Sequence, residues 1–188
     1  MKIGVLGSTR GSSLQPVIDA IANDQLDASI NVILTNREDA GILGRAQEHN
    51  IPGYYIEATS RKAFEEKATS LLKHYEVELV LLVGYMRVLS PVFVQAWADH
   101  IINVHPSLLP KHAGKLDLDV HRSVLESGDK TTGCTVHFVD EGVDTGPVLL
   151  QKECVVADGD TPERLKAKVQ VLESAALIEA INLISVER

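Results

Sequence analysis

The chain has 188 residues, 45% of them hydrophobic and 23% charged, so one domain over residues 1–188 can bury about 70% of the surface its unfolded chain exposes. A net charge of −8 without any Lys/Arg block argues against a nucleic-acid partner, although a local cleft on an acidic protein can still hold a small anion. Residues 3–6 are too short a stretch for a secretory leader, no stretch is expected to reach the roughly 20 apolar residues of a membrane span, and Cys134 and Cys154 read as reduced core thiols, so the expected compartment is the cytoplasm.

Lys2–Leu6 reads as a buried strand. The loop at 7–13 leads into a helix with Leu14, Val17, Ile18, Ile21 and Ala22 on one face and Ser12 or Ser13 as N-cap. Ser29–Thr35 is a second strand, and residues 40–48 form a second helix that ends near Asn50 and Pro52. A short strand at 53–56 precedes a long helix at 60–75, with Phe64, Ala68, Leu71, Leu72 and Tyr75 inward. Residues 78–83 are almost continuously apolar, as a parallel strand covered on both faces should be. A short helix at 91–98 and a fifth strand at 101–104 follow. Residues 110–120 break the rhythm with glycine and charge and read as an active-site loop. Strands at 132–139 and 148–156 are antiparallel or mixed additions, and Thr161 caps a last helix with Pro162 in its first turn, running to residue 184. The alternation predicts an α/β fold: a doubly wound, mostly parallel mixed sheet with helices on both faces.

The fifth strand carries the chemistry. Alternation points Asn103 and His105 to one side of the sheet, about 7 Å apart along it. Pro106 then removes a ladder donor, which puts the pair at the C-terminal edge, where open α/β sheets bind ligands. The later run Asp140-Glu141-Gly142-Val143-Asp144-Thr145-Gly146-Pro147 adds the Asp144 carboxylate among glycines that allow close backbone approach. An amide, an imidazole and a carboxylate can donate to an oxyanion, shuttle a proton and orient the shuttle. His49, His74, His100, His112, His121 and His137 read as surface or packing residues, and no metal-ligand spacing links the histidines. Without a Gly-x-Ser-x-Gly elbow or a well-placed cysteine, the expected chemistry is direct attack of one substrate on the other.

The loop at 7–13 joins a strand to a helix N-terminus, a place where free N–H groups suit a phosphate; the plain alternative is an ordinary strand-to-helix turn. Its glycines are four apart, Asn36-Arg37 rather than an acid follows the second strand, and no Gly-Lys-Ser/Thr is present. A phosphomonoester fits better than NAD or ATP.

The order of that loop, Val83-Gly84-Tyr85-Met86-Arg87-Val88-Leu89-Ser90-Pro91, Asn103-x-His105-Pro106-Ser107-Leu108-Leu109-Pro110 and Asp140-x-x-x-Asp144-x-Gly146-Pro147 is similar to the phosphoribosylglycinamide formyltransferases of purine synthesis. The likeness covers nearly the whole chain. The Asn-x-His block is common to folate formyl-group transferases and hydrolases. Chain size and the phosphate loop narrow the match, with no room for the tRNA-binding domain of methionyl-tRNA formyltransferases or the regulatory domain of formyltetrahydrofolate hydrolases.

The resemblance implies the formyltransferase fold and transfer of a formyl group from the co-substrate 10-formyltetrahydrofolate to the amine of 5'-phosphoribosylglycinamide, toward IMP. It implies small-molecule partners only, without metal, nucleic acid or membrane, in a monomer or homodimer. Asn103 and a protonated His105 would stabilise the tetrahedral oxyanion, with Asp144 holding His105 charged. Gly11, Ser12 and Ser13 would bind the phosphate, Gly84 would lie against the nucleotide, and Glu173 would take ribose hydroxyls. Arg61, Met86, Arg87, Val88, Leu89, Asp140 and Glu141 would bind the folate. The expected division is a phosphate and nucleotide half over residues 1–100 and a catalytic and folate half over residues 101–188, with Arg61, Met86, Arg87, Val88, Leu89 and Glu173 reaching across it. The family suggests a cis Leu109–Pro110 bond, although most X–Pro bonds are trans, so the sequence leaves both isomers open.

Three departures from the family stand out. Thr9-Arg10 and Ser13 replace Asn-Gly and Asn in the phosphate loop, residues 111–121 replace a shorter Gly-Leu-His-type segment, and the sequence stops at Arg188 without extra C-terminal strands. The alternatives are formyl transfer to another amine such as an amino sugar nucleotide, or hydrolysis of the formyl-folate. A non-catalytic phosphometabolite-binding module would leave Asn103, His105 and Asp144 without a purpose, and the glycine spacing disfavours a dehydrogenase. The enzyme reading requires Asp144 to lie within one bridging water of His105.

Overall fold

The computed structural model describes residues 1–186. Its strands are β1 (Lys2–Leu6), β2 (Ser29–Thr35), β3 (Gly53–Tyr55), β4 (Leu79–Leu82), β5 (Ile101–His105), β6 (Thr131–Phe138) and β7 (Val148–Val155). They form a seven-stranded sheet in the order β3-β2-β1-β4-β5-β6-β7. The first five strands pair in parallel, and β6 and β7 extend the sheet antiparallel beyond β5. The helices are α1 (Gln15–Ala22), α2 (Ile42–Glu48), α3 (Arg61–His74), α4 (Pro91–Ala96), α5 (Leu118–Ser127) and α6 (Pro162–Val186).

Strand alternation divides the core between the two faces of the sheet. On one face Ile3, Val5, Ile33, Leu81, Ile102 and Val136 pack against α1, α2 and α6 residues such as Val17, Ile42, Val169 and Leu177. On the other, Leu6, Val32, Leu34, Val80 and Ile101 meet Phe64, Ala68, Leu72 and Phe93 from α3 and α4. Apolar side chains on both faces explain why β4 reads as an unbroken apolar run. Thr161 Oγ1 accepts the backbone N–H of Arg164 at 3.3 Å, as an N-cap does, and Ser90 caps α4 through Phe93 N at 3.2 Å.

Four expectations need correction. Residues 110–120 are not loop throughout, because α5 begins at Leu118. Its inward residues are Val120, His121 and Val124, too thin an apolar stripe to read as a helix, and Asp117 before it makes no side-chain cap. Neither Ser12 nor Ser13 caps α1: Ser12–Leu14 forms a 3-10 turn after the left-handed Gly11, and the Ser13 hydroxyl turns away to Glu173. On α1 Ala20 faces inward and Ala22 is exposed. Finally, α6 is long and apolar enough by composition to cross a membrane, with an 18-residue window of mean hydropathy 1.5. Of its apolar residues, Leu165, Val169, Ala176, Leu177, Ala180 and Ile181 are buried against the sheet and neighbouring helices, whereas Val171, Leu183 and Val186 are exposed.

Candidate active site

From β1 the sheet builds outward in both directions, to β2 on one side and β4 on the other. At such a reversal the loops after neighbouring strands diverge and leave a crevice beyond the strand ends. A cleft of about 540 Å³ lies there. Its walls are the loop after β1, the segment after β4, the end of β5, the segment before α5, the β6–β7 loop and one flank of α6.

The loops after β1 and β4 are laced together. Ser8 N donates to Gly84 O at 3.1 Å, Met86 N donates to Ser8 Oγ at 3.0 Å, and Ser8 Oγ donates to Asn36 Oδ1 at 2.6 Å. Gly84 sits at φ 57, and a Cβ there would meet Thr9 Oγ1 at 2.3 Å, so this junction demands glycine. Gly11, Ser12 and Ser13 line the cleft beside Arg10. Ser13 donates to the Glu173 carboxylate across from α6. Burial pushes the Glu173 carboxyl up from its ordinary value, against the Ser13 hydrogen bond and the Lys166 charge. Those two elements therefore close one end of the cleft with polar groups on both sides.

At the centre, the end of β5 meets the β6–β7 loop. Asp144 Oδ2 lies 3.2 Å from His105 Nδ1, direct contact without a bridging water. The same carboxylate accepts the backbone N–H of Gly114 at 2.8 Å. The antiparallel register sets Asn103 opposite His137, and Asn103 Nδ2 lies 3.2 Å from His137 Nε2. His137 Nδ1 is 2.8 Å from the Phe138 carbonyl and donates to it, so a neutral His137 accepts from Asn103. His137 Nε2 also lies 3.7 Å from Asp144 Oδ1. Burial raises the Asp144 carboxyl, but the His137 ring, the Gly114 N–H and the His105 charge outweigh it and hold the group below the usual carboxylate range.

His105 is 4% exposed. Burial is the largest influence on its ring and pulls it below the ordinary histidine value, outweighing the Asp144 charge and the His112 carbonyl at 3.2 Å. Burial thus favours the neutral imidazole, against the Asp144 charge that favours the protonated ring.

Met86, Arg87, Val88, Leu89 and Asp140 also line the cleft, with Met86 and Val88 exposed and Leu89 buried. Arg61 and Glu141 do not. Arg61 is exposed at the start of α3, and Glu141 points to Gln95, whose Nε2 donates to it at 2.8 Å. The segment after β4 has an anchor that sequence reading missed: the buried Glu65 carboxylate accepts Ser90 N at 2.8 Å and the Ser90 hydroxyl. His121 and His137, which the sequence alone reads as surface or packing residues, both line the cleft. His121 Nδ1 is buried without a hydrogen-bond partner, and burial together with the Lys166 charge pushes its ring down to about 4. The Leu109–Pro110 bond is cis.

Four cations (Arg10, Arg87, Lys115, Lys166) and four carboxylates (Asp117, Asp140, Asp144, Glu173) line the cleft. The site is thus locally balanced on a chain of net charge −8, and an anionic substrate meets no net acidic wall.

A family model described as formyl transferase matches residues 1–181. The phosphoribosylglycinamide formyltransferase of Escherichia coli (strain K12) is 39% identical over 178 residues, covering 93% of this chain and 82% of that protein. The trifunctional purine biosynthetic protein adenosine-3 of Chironomus tentans is 39% identical over 189 residues; that is 98% of this chain, which spans only 14% of the relative's length. The crystal structure of glycinamide ribonucleotide transformylase 1 from Symbiobacterium toebii superposes with a TM-score of 0.94 at 38% identity, covering 100% of this chain and 89% of that one.

Proposed function

The chain belongs to the formyl transferase family, and from that premise we propose that it moves the formyl group of 10-formyltetrahydrofolate onto the amine of 5'-phosphoribosylglycinamide. One observation carries the reading: Asn103, His105 and Asp144 line the same cleft as the loop carrying Gly11, Ser12 and Ser13 and the segment carrying Met86, Arg87, Val88 and Leu89. The first loop takes the phosphate, with Glu173 toward the ribose. The second takes the folate with Asp140. The reacting carbon lies between them.

The amine lone pair attacks the formyl carbon, and the carbonyl π pair moves onto oxygen. The Asn103 amide donates to that oxyanion. The resting neutral His105 takes the proton that the nitrogen sheds on attack, directly or through water, and Asp144 stabilises the resulting imidazolium. The imidazolium then gives the proton to the folate nitrogen as the carbon–nitrogen bond breaks. Formylated amine and tetrahydrofolate leave, and His105 is neutral again.

The test is steady-state turnover of formyl-folate with 5'-phosphoribosylglycinamide, with an amino sugar nucleotide, and with no amine. Turnover dependent on the glycinamide and saturable in it is expected. Equal turnover without amine, or preference for the amino sugar, overturns the proposal.

A further inference from the structure

We propose that His112 is a positioning residue, clamped by Asp129 and Ser123 so that its backbone carbonyl holds the His105 ring from the side opposite Asp144. The inference rests on the reading of His105 as the proton carrier.

His112 is a non-glycine residue in the left-handed region, at φ 59, a conformation that needs support from its surroundings. The side chain supplies it. His112 Nδ1 lies 2.9 Å from Ser123 Oγ on α5, and Nε2 lies 2.9 Å from Asp129 Oδ2 in the turn before β6. The same carboxylate holds the preceding residue through Lys111 Nζ at 2.7 Å, and Ser107 Oγ donates to Lys111 O at 2.6 Å. Hydrogen bonds from Lys111 and His112 keep the Asp129 carboxyl down at about 2, so the clamp stays charged across the neutral range.

The product of this clamp is one contact. The His112 carbonyl lies 3.2 Å from His105 Nε2, while Asp144 Oδ2 lies 3.2 Å from Nδ1. Both ring nitrogens therefore face acceptors. A neutral imidazole has one N–H and satisfies one of them; an imidazolium satisfies both. The clamp favours the charged ring that forms when His105 takes a proton, and it fixes the ring plane. It acts against burial, which favours the neutral form. The other ionisable groups whose charge reaches His105 are Asp144, His137, His112 and His121. None of these contacts depends on a bound substrate.

The test is an NMR titration of the His105 ring in the whole protein, wild type and His112→Ala, with Asp129→Ala and Asp129→Asn as a second pair. Without the clamp the His105 pKa should fall by about half to one unit. Turnover should drop about tenfold with each KM within about threefold, and the acidic limb of the kcat profile should move to lower pH. Asp129→Asn keeps an acceptor facing His112 and should recover most of both effects. If His112→Ala fails to fold, the Asp129 pair carries the same comparison. An unchanged His105 pKa in folded variants overturns the inference, as does Asp129→Asn behaving like Asp129→Ala. Because the titration needs no substrate, it succeeds or fails separately from formyl transfer.

Discussion

Asp144 touches His105, Oδ2 to Nδ1 at 3.2 Å, and it reaches that position in a left-handed turn at φ 56. The backbone N–H of Gly114 fixes the same oxygen at 2.8 Å, so the rim segment and the β6–β7 loop share one carboxylate. Asp144→Asn removes the charge with little change of shape. With no carboxylate to stabilise the imidazolium, kcat should fall by about 10²–10³ or more while the KM values change little. Steady-state kinetics with both substrates varied check this, and a kcat within about threefold of wild type contradicts it.

Asn103 is the one amide side chain placed beside His105 on β5, and its orientation is set by His137 at 3.2 Å. Asn103→Ala should lose about 10²–10³ in turnover by removing an oxyanion donor. A smaller loss is expected for His137→Ala, which loosens the amide but leaves it present. Comparing the two in the same assay ranks the contributions, and equal losses argue against direct donation by Asn103.

His121 makes stability depend on pH. Its ring moves from the ordinary 6.5 to about 4 in the folded chain, a difference worth roughly 3 kcal/mol. Between those values the unfolded chain binds a proton that the folded chain refuses. The stability is fully present above pH 6.5 and drains away as pH falls toward 4. His121→Leu should flatten that decline and change stability at pH 7 by less than about 1 kcal/mol, since the Nδ1 it removes has no partner. Urea unfolding at a series of pH values reads both. His105 adds a slope of the same sign in each protein, so the comparison rests on the difference.

Glu65 is 6% exposed and holds Ser90 through two hydrogen bonds. Ser90 in turn caps α4 and ends the segment that carries Met86, Arg87, Val88 and Leu89. Glu65→Ala should cost about 2–3 kcal/mol by leaving the Ser90 N–H unpaired, and raise the KM for formyl-folate about tenfold. Glu65→Gln, which keeps an acceptor, should be milder on both counts. An unchanged folate KM in Glu65→Ala contradicts the anchoring role.

The central strands were legible because burial on both faces writes unbroken apolar runs, as in Leu79–Leu82. Asn103 and His105 could be read because Pro106 marks where their strand ends, at the sheet edge. What stayed hidden depends on contacts between distant segments. His137 enters the site only through the β5–β6 register, and His112 only because α5 and the turn at Asp129 close on it. A lone histidine carries no local signal of either. Glu65 reads as an ordinary helix charge until the Ser90 contacts are known. The helix α5 was missed because its buried face is partly histidine. Arg61 and Glu141, expected at the folate from motif correspondence alone, lie beyond the residues that wall the cleft.

The most direct test follows the reacting carbon itself. With ¹³C in the formyl group of the folate, NMR should show the label pass to the glycinamide nitrogen in step with tetrahydrofolate release, and Asn103→Ala and Asp144→Asn should slow that single event together. Label accumulating as formate instead, at the rate of folate turnover, contradicts the account.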